Sequence, residues 1–217
     1  MRTPLLDLKR CQIKINSTVL LDDFSFHVNN GEVLSIMGPS GCGKSTLLGY
    51  LSGTLSHDFI ATGQIELDGK PIQQLNTIKR KVGILYQSPL LFPHMTNLEN
   101  LLFATPSNKN TSHKERVEMA MGKLNELGLE TKAHELPEVL SGGQQARIAL
   151  LRALLAEPQY LLLDEPFSKL DPELRQSVRS FTLEQIQKAN IPTVLVTHDM
   201  EDAQAMQSKI ITLQTQN

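Results

Sequence analysis

The sequence has almost no charge surplus: its formal net charge is -2. That balance leaves no basic footprint for a nucleic-acid partner. Cysteine is scarce, with Cys11 and Cys42 alone. They form neither metal-ligand spacing nor a disulfide framework, which fits a reduced, cytosolic setting. Long apolar runs are missing too. None approaches the about 18 residues of a membrane span, and residues 1–10 lack the apolar stretch of a signal peptide. Work at a membrane would therefore need a partner that does the spanning. There are no internal repeats and no low-complexity linker. A chain of 217 residues, 40% hydrophobic, suits one domain with an inserted subdomain and a real core.

What is present is a phosphate loop. Gly38-Pro39-Ser40-Gly41-Cys42-Gly43-Lys44-Ser45-Thr46 is a complete G-x-x-x-x-G-K-[ST] motif. The apolar run 33–37 before it reads as a buried parallel strand, and 44–52 after it as a helix. The glycines let backbone N–H groups turn inward around phosphates, and the helix start adds its positive end. Lys44 should reach the β and γ phosphates of ATP, and Ser45 should ligate Mg²⁺. Cys42 either fills a tight turn or, when oxidised, blocks ATP.

The rest of the chain reads as an α/β fold. Strands are expected at 5–9, 12–15, 24–28, 62–68, 81–86, 160–163, 192–196 and 209–213. Turns are expected at Asn29-Asn30-Gly31 and Asp68-Gly69. Helices are expected at 111–127, stopped by Gly128, and at 142–156, stopped before Pro158. Others follow at 172–188, capped by Asp171, and at 200–206. The character changes between 97 and 157, where a helical insert interrupts the nucleotide-binding core.

The strand 160–163 delivers Asp164 and Glu165 at its C-terminal end, where open α/β sheets bind ligands. Asp164 can hold Mg²⁺ directly or through water, and Glu165 can polarise an attacking water. Leu140-Ser141-Gly142-Gly143-Gln144 opens the helix at 142. Ser141 and Gln144 fit a capping box. The box leaves Gly142 and Gly143 unexplained, since paired glycines weaken a helix start. Bare backbone there would admit a γ-phosphate. Both explanations stand on local grounds. Gln87 is a strand-end polar residue, and His198 a lone histidine after a strand.

This ordered set, Gly38–Thr46, Gln87, Leu140–Gln144, Tyr160–Glu165, Ser168–Asp171 and His198, resembles the ATP-binding subunit of ABC transporters. The likeness spans essentially the whole chain. It is nearest to bacterial importer ATPases of the thiamine, polyamine, sulfate and iron type, through Asp164-Glu165-Pro166-Phe167-Ser168 and Leu91-Phe92-Pro93-His94. The resemblance implies a P-loop core with a parallel sheet, an N-terminal antiparallel β subdomain and a helical insert. It implies one ABC ATPase domain over 1–217, with 1–87 and 159–217 as nucleotide-binding core and 88–158 as insert. Glu165, His198 and Gln87 become catalytic, with His198 on the γ-phosphate. Ser45, Gln87 and Asp164 become Mg²⁺ ligands. Ser141, Gly142, Gly143 and Gln144 become a signature acting in trans, and Asp171 crosses the dimer.

The resemblance also implies an ATP-driven homodimer bound to transmembrane permease subunits at the cytoplasmic face of the cell membrane. A periplasmic solute-binding protein would belong to the same system, and nucleic acid would not. An exporter or lipoprotein-release ATPase is the nearest alternative. A soluble ABC-type ATPase acting on nucleic acid or ribosomes is the alternative of another class, and a P-loop kinase is a weak third. The chain also departs from the family pattern. No aromatic lies between Cys11 and Leu21, where the family stacks adenine, and Ile15 stands about there. Lys169 replaces a small residue between Ser168 and Leu170. Gln145-Ala146-Arg147 replaces a more polar run. The apolar stretch Pro89-Leu90-Leu91-Phe92-Pro93 is either insert core or part of a groove for a permease helix.

Overall fold

Apolar residues at 6, 8, 11 and 13 cannot all face one side of a regular strand, because the step from 8 to 11 is odd. A computed structural model, which describes residues 5–107 and 111–214, shows how the chain manages it. The ends 1–4 and 215–217, counted above within the single domain, lie outside the described residues. Strand β1 (Leu5–Ile15) is continuous where two strands were expected. Its register skips between Leu8 and Cys11, and Arg10 takes φ +48°. The bulge restores the phase, so Leu6, Leu8, Cys11 and Ile13 are all fully buried. The facing strand accepts the bulge through Gly63. A Cβ there would lie 2.8 Å from Cys11 Cα and 2.9 Å from Arg10 O.

β1 pairs antiparallel with β2 (Thr18–Asn29) and with β4 (Phe59–Leu67). A short β5 (Lys70–Pro71) completes a four-stranded sheet of order β2-β1-β4-β5. The second sheet has five parallel strands. They are β3 (Val33–Met37), β6 (Val82–Leu85), β7 (Tyr160–Asp164), β8 (Thr193–Val196) and β9 (Lys209–Thr212). Their order is β6-β7-β8-β3-β9. The central strands are covered on both faces, which is why they read as unbroken apolar runs.

Helix α1 (Lys44–Ser52) packs between the two sheets. Tyr160 and Leu162 face its side, while Leu161 and Leu163 face the other. On that other face lie α5 (Gly142–Leu155) and α6 (Pro172–Ala189). Helices α3 (Asn97–Ala104) and α4 (His113–Glu126) form a third cluster with α5. Ala146, Ala149 and Leu150 of α5 face the sheet cluster, while Ile148, Leu151 and Leu155 face the insert. A one-turn helix α2 (Thr77–Arg80) and a short α7 (Met200–Ala205) complete the fold.

Helix α3 has a sequence signal that the pattern reading passed over. Thr96 and Glu99 form a reciprocal capping box: Glu99 N–H donates to Thr96 Oγ1 at 3.2 Å and Thr96 N–H to Glu99 Oε2 at 2.7 Å. Ser112 and Glu115 do the same at α4, so that helix starts at His113 rather than 111.

Candidate functional site

The phosphate loop leaves β3 at Gly38, whose φ is +150°. A Cβ there would lie 2.7 Å from Leu213 O and 2.8 Å from Cys42 Sγ. The loop is therefore pressed against the end of β9, and Cys42 is a buried filler of the turn. Gly43 precedes α1 at φ +95°, and no side chain caps that helix. The buried Lys44 folds over its own loop, with Nζ donating to Gly38 O at 2.7 Å and Pro39 O at 2.8 Å. Ser45 and Asp164 line one cavity of about 320 Å³, together with Thr46 and Tyr86.

Burial holds the Asp164 carboxyl above its usual range. The neighbouring charge of Glu165 adds to that rise and Lys44 opposes it. A hard cation there would favour the ionised carboxylate, and a hydroxyl and a carboxylate are the oxygen donors it prefers. Among the described residues no group of three or more His, Cys, Asp and Glu gathers for a metal. The donor set fits Mg²⁺, which keeps waters and takes one or two carboxylates plus phosphate oxygens.

Glu165 sits at φ +47°, in the left-handed region. Its N–H donates to Val196 O at 2.9 Å, which ties the end of β7 to the end of β8. Its Oε1 lies 3.2 Å from His198 Nδ1. The structure therefore brings the expected carboxylate and histidine together. Gln87 is placed differently. Its Nε2 donates to Ser168 Oγ at 3.0 Å, and Ser168 Oγ donates to Glu165 O at 2.9 Å. Gln87 thus reaches Glu165 through Ser168 and is not among the residues lining the Ser45–Asp164 cavity. One residue on, Lys169 Nζ donates to Ser88 Oγ at 2.7 Å. The unusual lysine ties the segment after β7 to the segment after β6.

At the start of α5 both capping-box bonds are made, Ser141 N–H to Gln144 Oε1 at 3.0 Å and Gln144 N–H to Ser141 Oγ at 3.3 Å. The two glycines differ. A Cβ on Gly143 would meet Leu174 Cδ2 at 3.3 Å and Val178 Cγ2 at 3.5 Å, so α6 packing accounts for it. A Cβ on Gly142 would meet Leu170 at 3.7 Å, an ordinary contact. Packing within the chain therefore leaves Gly142 unexplained. Among the described residues no hydrogen bond or ion pair joins residues 38–46 to residues 141–144. Asp171 caps α6 by accepting from Leu174 N–H at 3.0 Å. In the apolar stretch after Gln87, Leu91 packs into the core while Leu90 is exposed.

One part of the site was not read from the sequence. Arg179, buried on α6, donates through Nε to Asp202 Oδ1 at 2.6 Å, and Asp202 Oδ2 accepts from Thr197 Oγ1 at 2.8 Å. Arg175 donates through Nη1 to Asp199 Oδ2 at 3.0 Å. The signal was paired spacing. Arg175 and Arg179 share one face of α6, and Asp199 and Asp202 sit in matching order at the start of α7.

Comparison with known proteins identifies the family. The pattern of the ABC transporter family matches residues 21–168. The uncharacterized ABC transporter ATP-binding protein YnjD of Escherichia coli K12 is 43% identical over 202 residues, which is 93% of this chain and 92% of that protein. The spermidine/putrescine import ATP-binding protein PotA of Legionella pneumophila strain Paris is 42% identical over 212 residues. The Fe(3+) ions import ATP-binding protein FbpC of Brucella abortus strain 2308 is 43% identical over 202 residues. Those matches cover 97% and 92% of this chain but only 57% and 56% of the two relatives, so the chain spans little more than half of either. The chain therefore belongs to the ABC transporter family as an ATP-binding, ATP-hydrolysing component.

Proposed function

We propose that two copies of this chain sandwich two ATP molecules head to tail and power a solute importer. Residues 1–87 and 159–217 act as the nucleotide-binding core and 88–158 as the insert. Residues Gly38 to Thr46, with Lys44, hold the phosphates of one ATP. Ser141, Gly142, Gly143 and Gln144 of the partner copy close over its γ-phosphate. Ser45 and Asp164 would hold Mg²⁺, which would supply charge neutralisation to the phosphates, and Gln87 would join them on leaving Ser168. Glu165 orients the attacking water and takes one of its protons as the water oxygen bonds to the γ phosphorus and the phosphorus–oxygen bond to ADP breaks. His198 donates to the γ-phosphate oxygens, and Asp171 reaches across the dimer.

The observation that carries this reading is Gly142. It begins a helix and is exposed, packing among the described residues does not require it to lack a side chain, and among those residues no hydrogen bond or ion pair joins the start of that helix to its own phosphate loop. A helix start of that kind suits an anion brought by another molecule. PotA and FbpC are import proteins by name, which favours import over export. Among the described residues no helix is long and apolar enough to cross a membrane, so the subunit would sit peripherally on permease subunits, at the cytoplasmic face. A periplasmic solute-binding protein would deliver the cargo.

Mixing two inactive variants tests the sandwich. Lys44→Ala disables the phosphate loop and Ser141→Arg blocks the start of α5. Each homodimer then has two broken sites, while a mixed dimer combines both lesions in one site and leaves the other intact. Mixing should restore ATPase activity, with the membrane partner present if wild-type turnover needs it. No rescue despite isolated mixed dimers, beside a one-site dimer that does turn over, would refute the trans arrangement.

A further inference from the structure

Arg175 is engaged by two loops at once. Nη1 donates to Asp199 Oδ2 at 3.0 Å, beside His198. Nη2 donates to Leu170 O at 3.2 Å and to Ser168 O at 3.4 Å, in the loop that follows Glu165. Both loops are also fixed internally. Ser168 Oγ holds Glu165 O at 2.9 Å. Asp199 Oδ1 accepts from Glu201 N–H at 2.8 Å, and Asp199 N–H donates to Thr197 Oγ1 at 3.1 Å. Arg179 supports the same carboxylate from one turn further along α6, with Nη2 3.5 Å from Asp199 Oδ2. The planar fork of an arginine is what allows one side chain to bind two acceptors in fixed geometry.

The strand ends alone do not fix the Glu165–His198 distance. Glu165 and His198 both lie past the last paired residues of β7 and β8, Asp164 and Val196. Beyond that point the backbone bonds that fix the loops to the sheet are Glu165 N–H to Val196 O at 2.9 Å and Thr197 N–H to Ile36 O at 3.3 Å, and side chains hold the rest. Besides the Glu165–His198 contact itself, Arg175 is a side chain that grips both.

We infer that Arg175 is a positioning residue for ATP hydrolysis, clamping the Ser168–Leu170 loop to Asp199 so that Glu165 and His198 stay in register. The inference rests on the reading above that this pair faces the γ-phosphate. Arg175 contacts no reacting atom in it. Its loss leaves the phosphate loop, Lys44 and Ser45 untouched, so ATP binding is preserved. What it costs is alignment, and a displacement of about 1 Å in catalytic geometry can lower turnover by about 100-fold.

The experiment uses the full chain, with its membrane partner if wild-type turnover requires it. ATP affinity and steady-state hydrolysis are measured for Arg175→Ala, Arg175→Lys, Asp199→Asn, the double variant Arg175→Ala/Asp199→Asn, and Glu165→Gln. Lys188→Ala, which removes an exposed ion pair on the same helix, serves as a control. Expected results are a fall in kcat of about 10-fold or more for Arg175→Ala with ATP affinity within about 3-fold of wild type. Arg175→Lys should recover part of that loss and no more, because one ammonium cannot span both loops. The double variant should be no worse than the poorer single variant, since both remove one clamp. Wild-type kcat in Arg175→Ala, beside an inactive Glu165→Gln, would overturn the clamp alone. So would additive losses in the double variant, or full recovery by lysine. An active Glu165→Gln would overturn the functional reading and the clamp with it. Should Arg175→Ala not fold, Arg175→Lys and Asp199→Asn decide the question by the same split between kcat and affinity.

Discussion

Asp164 keeps its proton to higher pH than an ordinary aspartate, because burial and the charge of Glu165 outweigh the help from Lys44. The sign of the consequence follows. The native chain binds more protons than the unfolded chain between the usual carboxylate range, about 4, and the raised value. Stability therefore falls as pH rises through that window, and the loss persists at neutral pH. Asp164→Asn removes the ionisable group. Without divalent cations its Tm should exceed that of wild type at pH 7, and the gap should close as pH falls below about 4, measured by scanning calorimetry in chelator. An equal gap at both pH values would show that the difference is not protonic. The places of such residues were legible in sequence where strand pattern and spacing coincide: the phosphate loop lies between β3 and α1, Asp164-Glu165 at the end of β7 and His198 after β8. Arg175 and Arg179 were not, because their partners lie 24 and 23 positions away and meet them only after α6 and α7 have packed.

Helix α1 ends against an arginine rather than in water. Arg80 is buried, and Nη1 donates to Tyr50 O at 2.6 Å and Leu51 O at 2.7 Å. Nε reaches Leu75 O at 2.8 Å and Nη2 reaches Gln73 O at 2.7 Å. Gly53, at φ +78°, makes room: a Cβ there would lie 2.9 Å from Arg80 Nε. The helix that presents Lys44 and Ser45 at one end is thus pinned at the other. Arg80→Met keeps the bulk and removes the guanidinium from all four carbonyls, of which Leu51 O keeps the Tyr160 hydroxyl at 2.8 Å and Tyr50 O keeps Gly53 N–H at 3.3 Å. It should cost about 3 kcal/mol. For a domain of this size that lowers Tm by about 6–12 °C, readable by thermal circular dichroism. A loss under about 0.5 kcal/mol would mean that water replaces the guanidinium freely. Among the elements, buried parallel strands were legible because both faces are covered. Strand β1 was split in two on paper because its bulge shifts the alternation by one residue. Helices α2 and α3 were missed because so short a helix shows little periodicity, although Thr96 and Glu99 marked the start of one.

For the whole molecule, the difference between the two glycines separates folding from assembly. A Cβ at Gly142 would make only an ordinary contact, 3.7 Å from Leu170, and the residue begins a helix, so Gly142→Ala should leave the Tm of the single chain unchanged or slightly higher. In the proposed sandwich the same methyl group meets a phosphate. Glu165→Gln should accumulate as a dimer when ATP is added, seen by light scattering. Adding Gly142→Ala to it should return the protein to monomers at the same ATP concentration. Undiminished dimer formation would place the interface away from the start of α5.

Helix α5 is shared by two hydrophobic clusters, one on the sheet and one in the insert. Neither cluster can melt without stripping one flank of that helix. The chain therefore unfolds as one cooperative unit rather than as two bodies with separate transitions. A lesion deep in the insert, at Leu101 or Leu124, should be felt along α5 up to its glycine-led start as lost thermodynamic support, well before any residue there is touched.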